Sequence, residues 1–388
     1  MIKNLEDFEY RGKKVLLRCD FNVPLADDGE ILNDFRIKQA VPTIEYLIKN
    51  KARVIIITHL GDPDGKVVEN LRLNNIAKCL SSCLSVEVSK TNECLGERVE
   101  GEIEKMKEGE VLLLENIRFY KEEEASDEEF AQKLSQLGDI YINDAFGVCH
   151  RSHASVVGIP KYLPSGSGFL LAKEIKVLSN VLENPWHPLV VIVGGVKIET
   201  KVKMIERFLK IADHVLIGGA IANTILIGKD IMVGFPLPKE NVLAAIGKIN
   251  LTDPKIHLPV DGTIVLEKEK DAVRQGAIGT AKKEESVLDI GSETVKIFKE
   301  IIGQAKMIVW NGPMGLSEDK RFERGTREIA QAITRNQSAF KVVGGGETID
   351  AISKFGLVDK FDHVSTGGGA MLDFLSGENL PGIKAIDK

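Results

Sequence analysis

Short apolar runs rich in β-branched residues alternate with helical patterns along almost the whole chain. KKVLLRCDF is followed by RIKQAVPTIEYLIKN and then ARVIIITHLG; later HPLVVIVGG leads to ETKVKMIERFLKIA and DHVLIGG. Such alternation predicts βαβ units and parallel sheets. Runs as uniformly apolar as VIIIT (54–58) and LVVIVGG (189–195) predict strands buried on both faces. The rhythm breaks at IPKYLPSGSG (159–168), and FLLAKEIKVLSNVLENP (169–185) then reads as one amphipathic helix. The expected organisation is an N-terminal domain over 1–168, a connecting helix over 169–185 and a C-terminal domain over 186–370. The acidic run KEEEASDEEFAQKL (121–134) reads as a solvated helix start, capped by Ser126 with Glu128 and Glu129 in the first turn.

Composition adds bounds. A chain of 388 residues exceeds one ordinary core, which also calls for two domains. Its 43% apolar and 28% charged residues are those of a soluble globular protein. No apolar run approaches the roughly 20 residues needed to cross a membrane. The start, MIKNLEDFEYRGKK, has no apolar signal core, so a cytoplasmic location is expected. Five cysteines without a CxxC pair argue against a disulfide framework or a zinc site. Cys79 and Cys83, one helical turn apart, read as small buried side chains. The net charge of −6 gives no support to nucleic-acid binding, and an anionic ligand needs a local basic cluster.

The C-terminal half supplies four glycine-rich strand ends: VIVGG (191–195), LIGG (216–219), VVGGGET (342–348) and HVSTGGGA (363–370). In open parallel sheets, ligands collect beyond the carboxyl ends of strands. Glycine there permits close backbone approach, and helix N–H groups attract an anion. A phosphate-bearing ligand is the expectation. Neither the Walker A pattern nor GxGxxG is present, which disfavours a P-loop enzyme and a nicotinamide-dependent dehydrogenase. VKIETK predicts Lys197 and Lys201 on one helix face, tolerable where a polyphosphate lies between them. VWNGPMGLSED (309–319) predicts a strand entering a rigid turn that walls a nucleotide pocket, with Glu318 placed for a ribose hydroxyl.

The N-terminal half has polar and basic residues at strand ends instead. RCDFNVP ends a strand with Asp20 and Asn22, which suit sugar-like hydroxyls. Arg36 opens a helix, His59 follows VIIIT, Arg118 follows LLLEN, and His150, Arg151 and His153 follow DIYIND. The HxxH pair lacks a third metal ligand. Arginines placed after successive parallel strands converge on one sheet edge and make an anion site. Two anion sites in one chain point to phosphoryl transfer, which needs positioning and charge neutralisation rather than an enzyme nucleophile.

RCDFNVP, THLG, LLLENIRFY, NDAFGVCHRSHAS, IVGGVKIETK, VWNGPMG, VVGGGET and VSTGGGA stand in the order found in the phosphoglycerate kinase family. The chain resembles that family over essentially its whole length, including the closing LPGIKAI. The resemblance implies two similar α/β lobes, each a Rossmann-like parallel sheet flanked by helices, around a long hinge helix. Residues 371–388 are then expected to pack back on the N-terminal lobe. It implies direct in-line transfer, on lobe closure, of the acyl phosphate of 1,3-bisphosphoglycerate to MgADP, giving 3-phosphoglycerate and ATP. A monomer is likewise implied.

By the same resemblance Asp20, Asn22, Arg36, His59, Arg118 and Arg151 bind the phosphoglycerate. Arg36, Lys197, Gly346 and Gly369 serve the transfer itself. Lys197, Lys201, Gly219, Asn311, Gly312, Pro313, Gly315, Glu318, Gly345, Gly346, Glu347, Thr348 and Gly368 meet the nucleotide, and Glu347 holds Mg2+. Three positions depart from the family pattern. Asp62 stands in HLGDP where the family usually has an arginine, Glu347 replaces the common aspartate, and Ser317 replaces an aromatic residue. Asp62 and Glu347 admit a competing reading, a non-catalytic relative that binds nucleotide or a protein partner. Retention of Arg36, Lys197 and DFNVP favours an enzyme.

Overall fold

The computed structural model describes residues 2–234, 244, 246–247, 249–266 and 269–387. The chain divides into two units, Met1–Lys176 with Asn379–Lys388, and Val177–Glu378. Each is built on its own six-stranded sheet.

In the first unit, β1 (Lys14–Arg18), β2 (Arg53–Ile57), β3 (Val88–Lys90), β4 (Val111–Leu113), β5 (Ile140–Asn143) and β6 (Ser165–Ser167) pair in the order β3-β4-β2-β1-β5-β6. All these pairings are parallel. Val15, Leu17, Val54 and Ile56 pack with Ile37, Ile44 and Leu80 from two helices, Phe35–Lys49 and Asn74–Leu84. Leu16 and Ile55, which alternate to the opposite face, are equally buried. Burying each such side chain contributes about 1.5–3 kcal/mol, which is why the apolar runs in the sequence are unbroken.

The acidic run differs from its sequence reading in two ways. Asp127, not Ser126, caps the helix Glu128–Ser135, accepting a hydrogen bond from the Phe130 amide at 2.8 Å. Ser126 sits at φ +56°, away from the extended conformation that an N-cap adopts. Glu123 is not solvated but fully buried. The last helix, Pro381–Ile386, belongs to this unit, with the Gly382 amide donating to the Cys149 carbonyl at 2.9 Å. The predicted long helix runs from Phe169 to Glu183.

In the second unit, β7 (Leu189–Val193), β8 (His214–Ile217) and β9 (Ile256–His257) are followed by a separate antiparallel sheet. That sheet comprises β10 (Asp261–Leu266), β11 (Glu269–Ala277) and β12 (Glu285–Ile290). β13 (Met307–Asn311), β14 (Phe340–Gly344) and β15 (His363–Val364) complete the main sheet, ordered β15-β14-β13-β7-β8-β9 and parallel. Its register matters most. Ile217 lies beside Val193, Val193 beside Asn311, and Asn311 beside Gly344. Gly218, Gly194, Gly312 and Gly345 are the next residues on these four strands, so they form a row at the sheet's carboxyl edge.

Candidate functional site

The first unit gathers its polar residues by the same logic. Arg18 is in register with Ile57 and Asn143, so the segments after β1, β2 and β5 leave the sheet together. Asp20 is buried and accepts a hydrogen bond from Arg36 Nη1 at 2.8 Å. Asn22 Oδ1 accepts from the Gly61 amide at 2.8 Å. His59 is buried, with Nε2 3.9 Å from Asp20 Oδ1 and Nδ1 3.4 Å from Arg18 Nη2. A guanidinium only donates, so Nδ1 is the acceptor and the ring proton sits on Nε2. Burial, followed by the charges of Arg18, Arg118, Arg36 and Arg151, holds His59 well below its usual value. Its ring is therefore neutral at pH 7.

Arg118 is buried, and its Nη1 donates to the Gly61 carbonyl at 2.7 Å. Its Nε lies 3.2 Å from a Glu124 carboxylate oxygen but is misaligned for a hydrogen bond, and Nη2 has no partner. Buried donors are almost always satisfied, so an unspent guanidinium N–H marks a place for a ligand oxygen. Arg151 is exposed, and its charge acts on both His59 and Arg118. Asp62 is also exposed, and its carboxylate acts on Arg118 with the opposite sign. Asp20, Asn22, Arg36, His59, Arg118 and Arg151 thus come to one sheet edge.

Three residues behind this edge escaped the sequence reading. Arg18 Nε donates to Ser155 Oγ at 2.8 Å, and its Nη2 lies 3.8 Å from Glu123 Oε1. Ser155 donates to Glu123 from its amide at 2.8 Å and from its hydroxyl at 2.6 Å. Burial pushes the Glu123 carboxyl up, against the pull of Arg18 and Ser155. This network holds Arg18 against His59. The one local signal was a charged residue closing the central strand KVLLR directly after the apolar Val15–Leu17.

In the second unit the glycine row is a place where backbones cross. The Gly194 amide donates to the Asn311 carbonyl at 2.9 Å, and the Gly195 amide to the Pro313 carbonyl at 2.8 Å. Gly312 has φ +94°, and a Cβ there would lie 2.2 Å from the Gly194 carbonyl oxygen. Thr348 Oγ1 accepts from the Gly312 amide at 2.8 Å and so braces the turn. Beside the row lies a cavity of about 380 Å³ whose lining includes Lys197, Lys201, Asn311, Gly312, Gly345, Gly346, Glu347, Thr348, Gly368 and Gly369. The helices Gly346–Lys354 and Gly368–Ser376 start at its wall and turn their unpaired N–H groups and positive dipole ends toward it. Asn311 Nδ2 is buried there without a partner.

The expectation for the two lysines is corrected. The helix starts only at Val202, so Lys197 and Lys201 precede it in a turn and share no helix face. Gly195, at φ +82°, redirects the chain after β7 and delays the helix. Lys197 is exposed, whereas Lys201 is buried and its Nζ donates to the Gly194 carbonyl at 2.5 Å. Burial pulls Lys201 down to about 8, against the opposing charge of Glu347.

The remaining predicted residues take different places. Gly219, at φ +61°, abuts the same turn, since a Cβ on it would lie 2.7 Å from the Gly195 amide nitrogen. The Pro313 carbonyl is spent on Gly195. Gly315 faces Asp289, whose Oδ1 lies 2.2 Å from where its Cβ would be. Glu318 is exposed and is not among the residues lining the cavity. Glu347 presents an exposed carboxylate at the cavity wall. One carboxylate beside a phosphate cradle is a donor set that suits Mg2+, which keeps waters and takes phosphate oxygens.

The family model for phosphoglycerate kinase matches residues 5–378. The chain is 46% identical over 390 residues to a phosphoglycerate kinase of Dictyoglomus turgidum, covering 99% of this chain and 98% of that one. It is 42% identical over 393 residues to the phosphoglycerate kinase of Borrelia garinii subsp. bavariensis, covering 100% of both. The solved phosphoglycerate kinase of Coxiella burnetii is similar with a TM-score of 0.84 and 37% identity, over 100% of this chain and 99% of that one. For the phosphoglycerate kinase of Pyrococcus horikoshii OT3 the TM-score is 0.88 and the identity 35%, over 100% and 98%.

Proposed function

The chain belongs to the phosphoglycerate kinase family, and from that premise we propose a role for each residue of its two candidate sites. The family's reaction is reversible transfer of the acyl phosphate of 1,3-bisphosphoglycerate to ADP, giving 3-phosphoglycerate and ATP. Asp20, Asn22, Arg36, His59, Arg118 and Arg151 bind the phosphoglycerate. Neutral His59 offers its Nε2–H as a donor, and Arg118 offers the unspent Nη2–H groups. Lys201, Gly219, Asn311, Gly312, Pro313, Gly345, Thr348 and Gly368 surround the nucleotide, with Gly315 and Glu318 on its ribose side. Glu347 would hold Mg2+, which when bound neutralises charge on the nucleotide phosphates.

The moving phosphoryl group spreads negative charge over three oxygens, so its transfer needs fixed donors rather than a nucleophile. Arg36 and Lys197 supply cations, and Gly346 and Gly369 supply helix-start amides. In-line transfer requires donor and acceptor oxygens to meet. We assign that step to closure of the domains 1–168 and 186–370 about the helix over 169–185, with the last residues, from Asn379 on, returning to the first. The family's place in glycolysis supports a cytoplasmic enzyme, and the family resemblance supports a monomer.

The observation that carries this reading is Arg118, a buried guanidinium whose Nη2 has no partner. The test is acyl phosphate formation from ATP and 3-phosphoglycerate, trapped with hydroxylamine. The protein should turn over, and Arg36→Ala should lose about 10³-fold or more while keeping its fold. Nucleotide binding without turnover would replace this reading with that of a non-catalytic relative.

A further inference from the structure

Cys79 and Cys83 lie one turn apart on the helix Asn74–Leu84, so their side chains share a face. The fold brings a third group to them from another element. Asp34 stands at the N-cap of the helix Phe35–Lys49, yet its side chain makes no capping hydrogen bond. One carboxylate oxygen of Asp34 and the two sulfurs lie within 4.8 Å of one another. Among the described residues, this is the only such group of three His, Cys, Asp or Glu side chains. All three residues are half-buried, so the group is reachable from solvent while resting on the core.

We propose that Asp34, Cys79 and Cys83 form a site for one thiophilic divalent cation of the Zn2+ and Cd2+ class, with water as fourth ligand. Two sulfurs and a carboxylate oxygen suit a tetrahedral ion. Metal bonds of about 2.3 Å to sulfur and 2.0–2.2 Å to oxygen put tetrahedral ligands about 3.5–3.8 Å apart. With the three atoms no more than 4.8 Å apart, the group need contract by no more than about 1.3 Å, within reach of side-chain rotation. Each thiol gives up its proton to solvent as its sulfur binds, so filling the site releases two protons per ion. The competing cation is the Lys38 ammonium, 2.9 Å from Asp34 on a largely exposed side chain. Such an exposed pair opens easily. The site staples the start of one helix to the middle of the next. The other three cysteines, Cys19, Cys94 and Cys149, are fully buried and do not compete.

The test uses the reduced, full-length protein freed of metal by a chelator and titrated with Cd2+. The proposal expects the ultraviolet thiolate-to-cadmium band to saturate at one equivalent per chain and to be reversed by Zn2+. Cys79→Ala and Cys83→Ala should each remove the band, with unchanged circular dichroism melts reporting an intact fold. Asp34→Asn should keep the band and weaken Cd2+ binding by about tenfold or more. A missing band overturns the proposal, as does one that survives Cys79→Ala or is indifferent to Asp34→Asn.

Discussion

Whether a charged side chain is buried or exposed decides what it does in these sites. Arg18 and Arg118 are both buried, but Arg18 spends its donors on Ser155, Cys19 and His59, whereas Arg118 keeps Nη2 unspent. The first is support, and the second has a donor left for the ligand proposed above. Lys201 and Lys197 divide in the same way, one inside the glycine turn and the other at the cavity rim. Asp62 is exposed, and its carboxylate opposes the cations that would hold an anion. Replacing it with a cation should therefore strengthen substrate binding by no more than an exposed pair is worth, about 1 kcal/mol or roughly fivefold. Steady-state kinetics of Asp62→Arg should show a lower KM for 3-phosphoglycerate at nearly unchanged kcat. An equal or higher KM would mean that Asp62 does not face the substrate.

At the scale of elements, function follows from register. Four neighbouring parallel strands end together, and each is followed at once by a glycine. The row lets the amides of Gly194 and Gly195 donate to the carbonyls of Asn311 and Pro313 on the neighbouring strand end, which a side chain at the crossing prevents. Gly312 is the strictest position, with a left-handed φ and a Cβ that would sit 2.2 Å from a backbone oxygen. Gly312→Ala should cost at least about 2 kcal/mol through backbone strain and overpacking. It should also remove the rise in melting temperature that ADP gives the parent protein, while the rise given by 3-phosphoglycerate persists. Differential scanning calorimetry with each ligand separately makes the comparison. An ADP response equal to the parent's would place the nucleotide elsewhere.

At the scale of the molecule, each unit carries a buried acid at the start of a helix. Asp144 accepts from the Leu171 amide at 3.1 Å, and Asp289 accepts from the Gly325 amide at 2.7 Å. Desolvation raises both carboxyls to about 7, against the hydrogen bonds that pull them down. Unfolded, each ionises near 3.8. Between about pH 4 and 7 the folded chain then holds protons that the unfolded chain has lost. These groups therefore stabilise the fold at low pH by comparison, and that contribution is lost as pH rises toward 7. Asp144→Asn cannot ionise and should flatten the dependence, narrowing the fall in melting temperature between about pH 5 and about pH 8. An identical slope in the variant would mean that Asp144 is already ionised in the folded protein at the lower pH.

The α/β architecture was legible in the sequence because it rests on local patterns. Apolar runs of strand length alternating with amphipathic helices have few packings other than parallel sheets. A strand's carboxyl end also has only one edge to occupy, so glycines and arginines at strand ends already indicated which residues each sheet gathers along that edge. What stayed hidden were pairings between residues far apart in the chain. Arg18 meets Ser155 across 137 positions, Glu123 leaves a run that reads as solvated, and Asp34 joins two cysteines from a neighbouring helix. The two lysines that look alike in VKIETK part company because Gly195 turns the chain and buries only one of them. Periodicity tells which face of an element is apolar, and only packing decides which polar groups are brought together and which of them lose water.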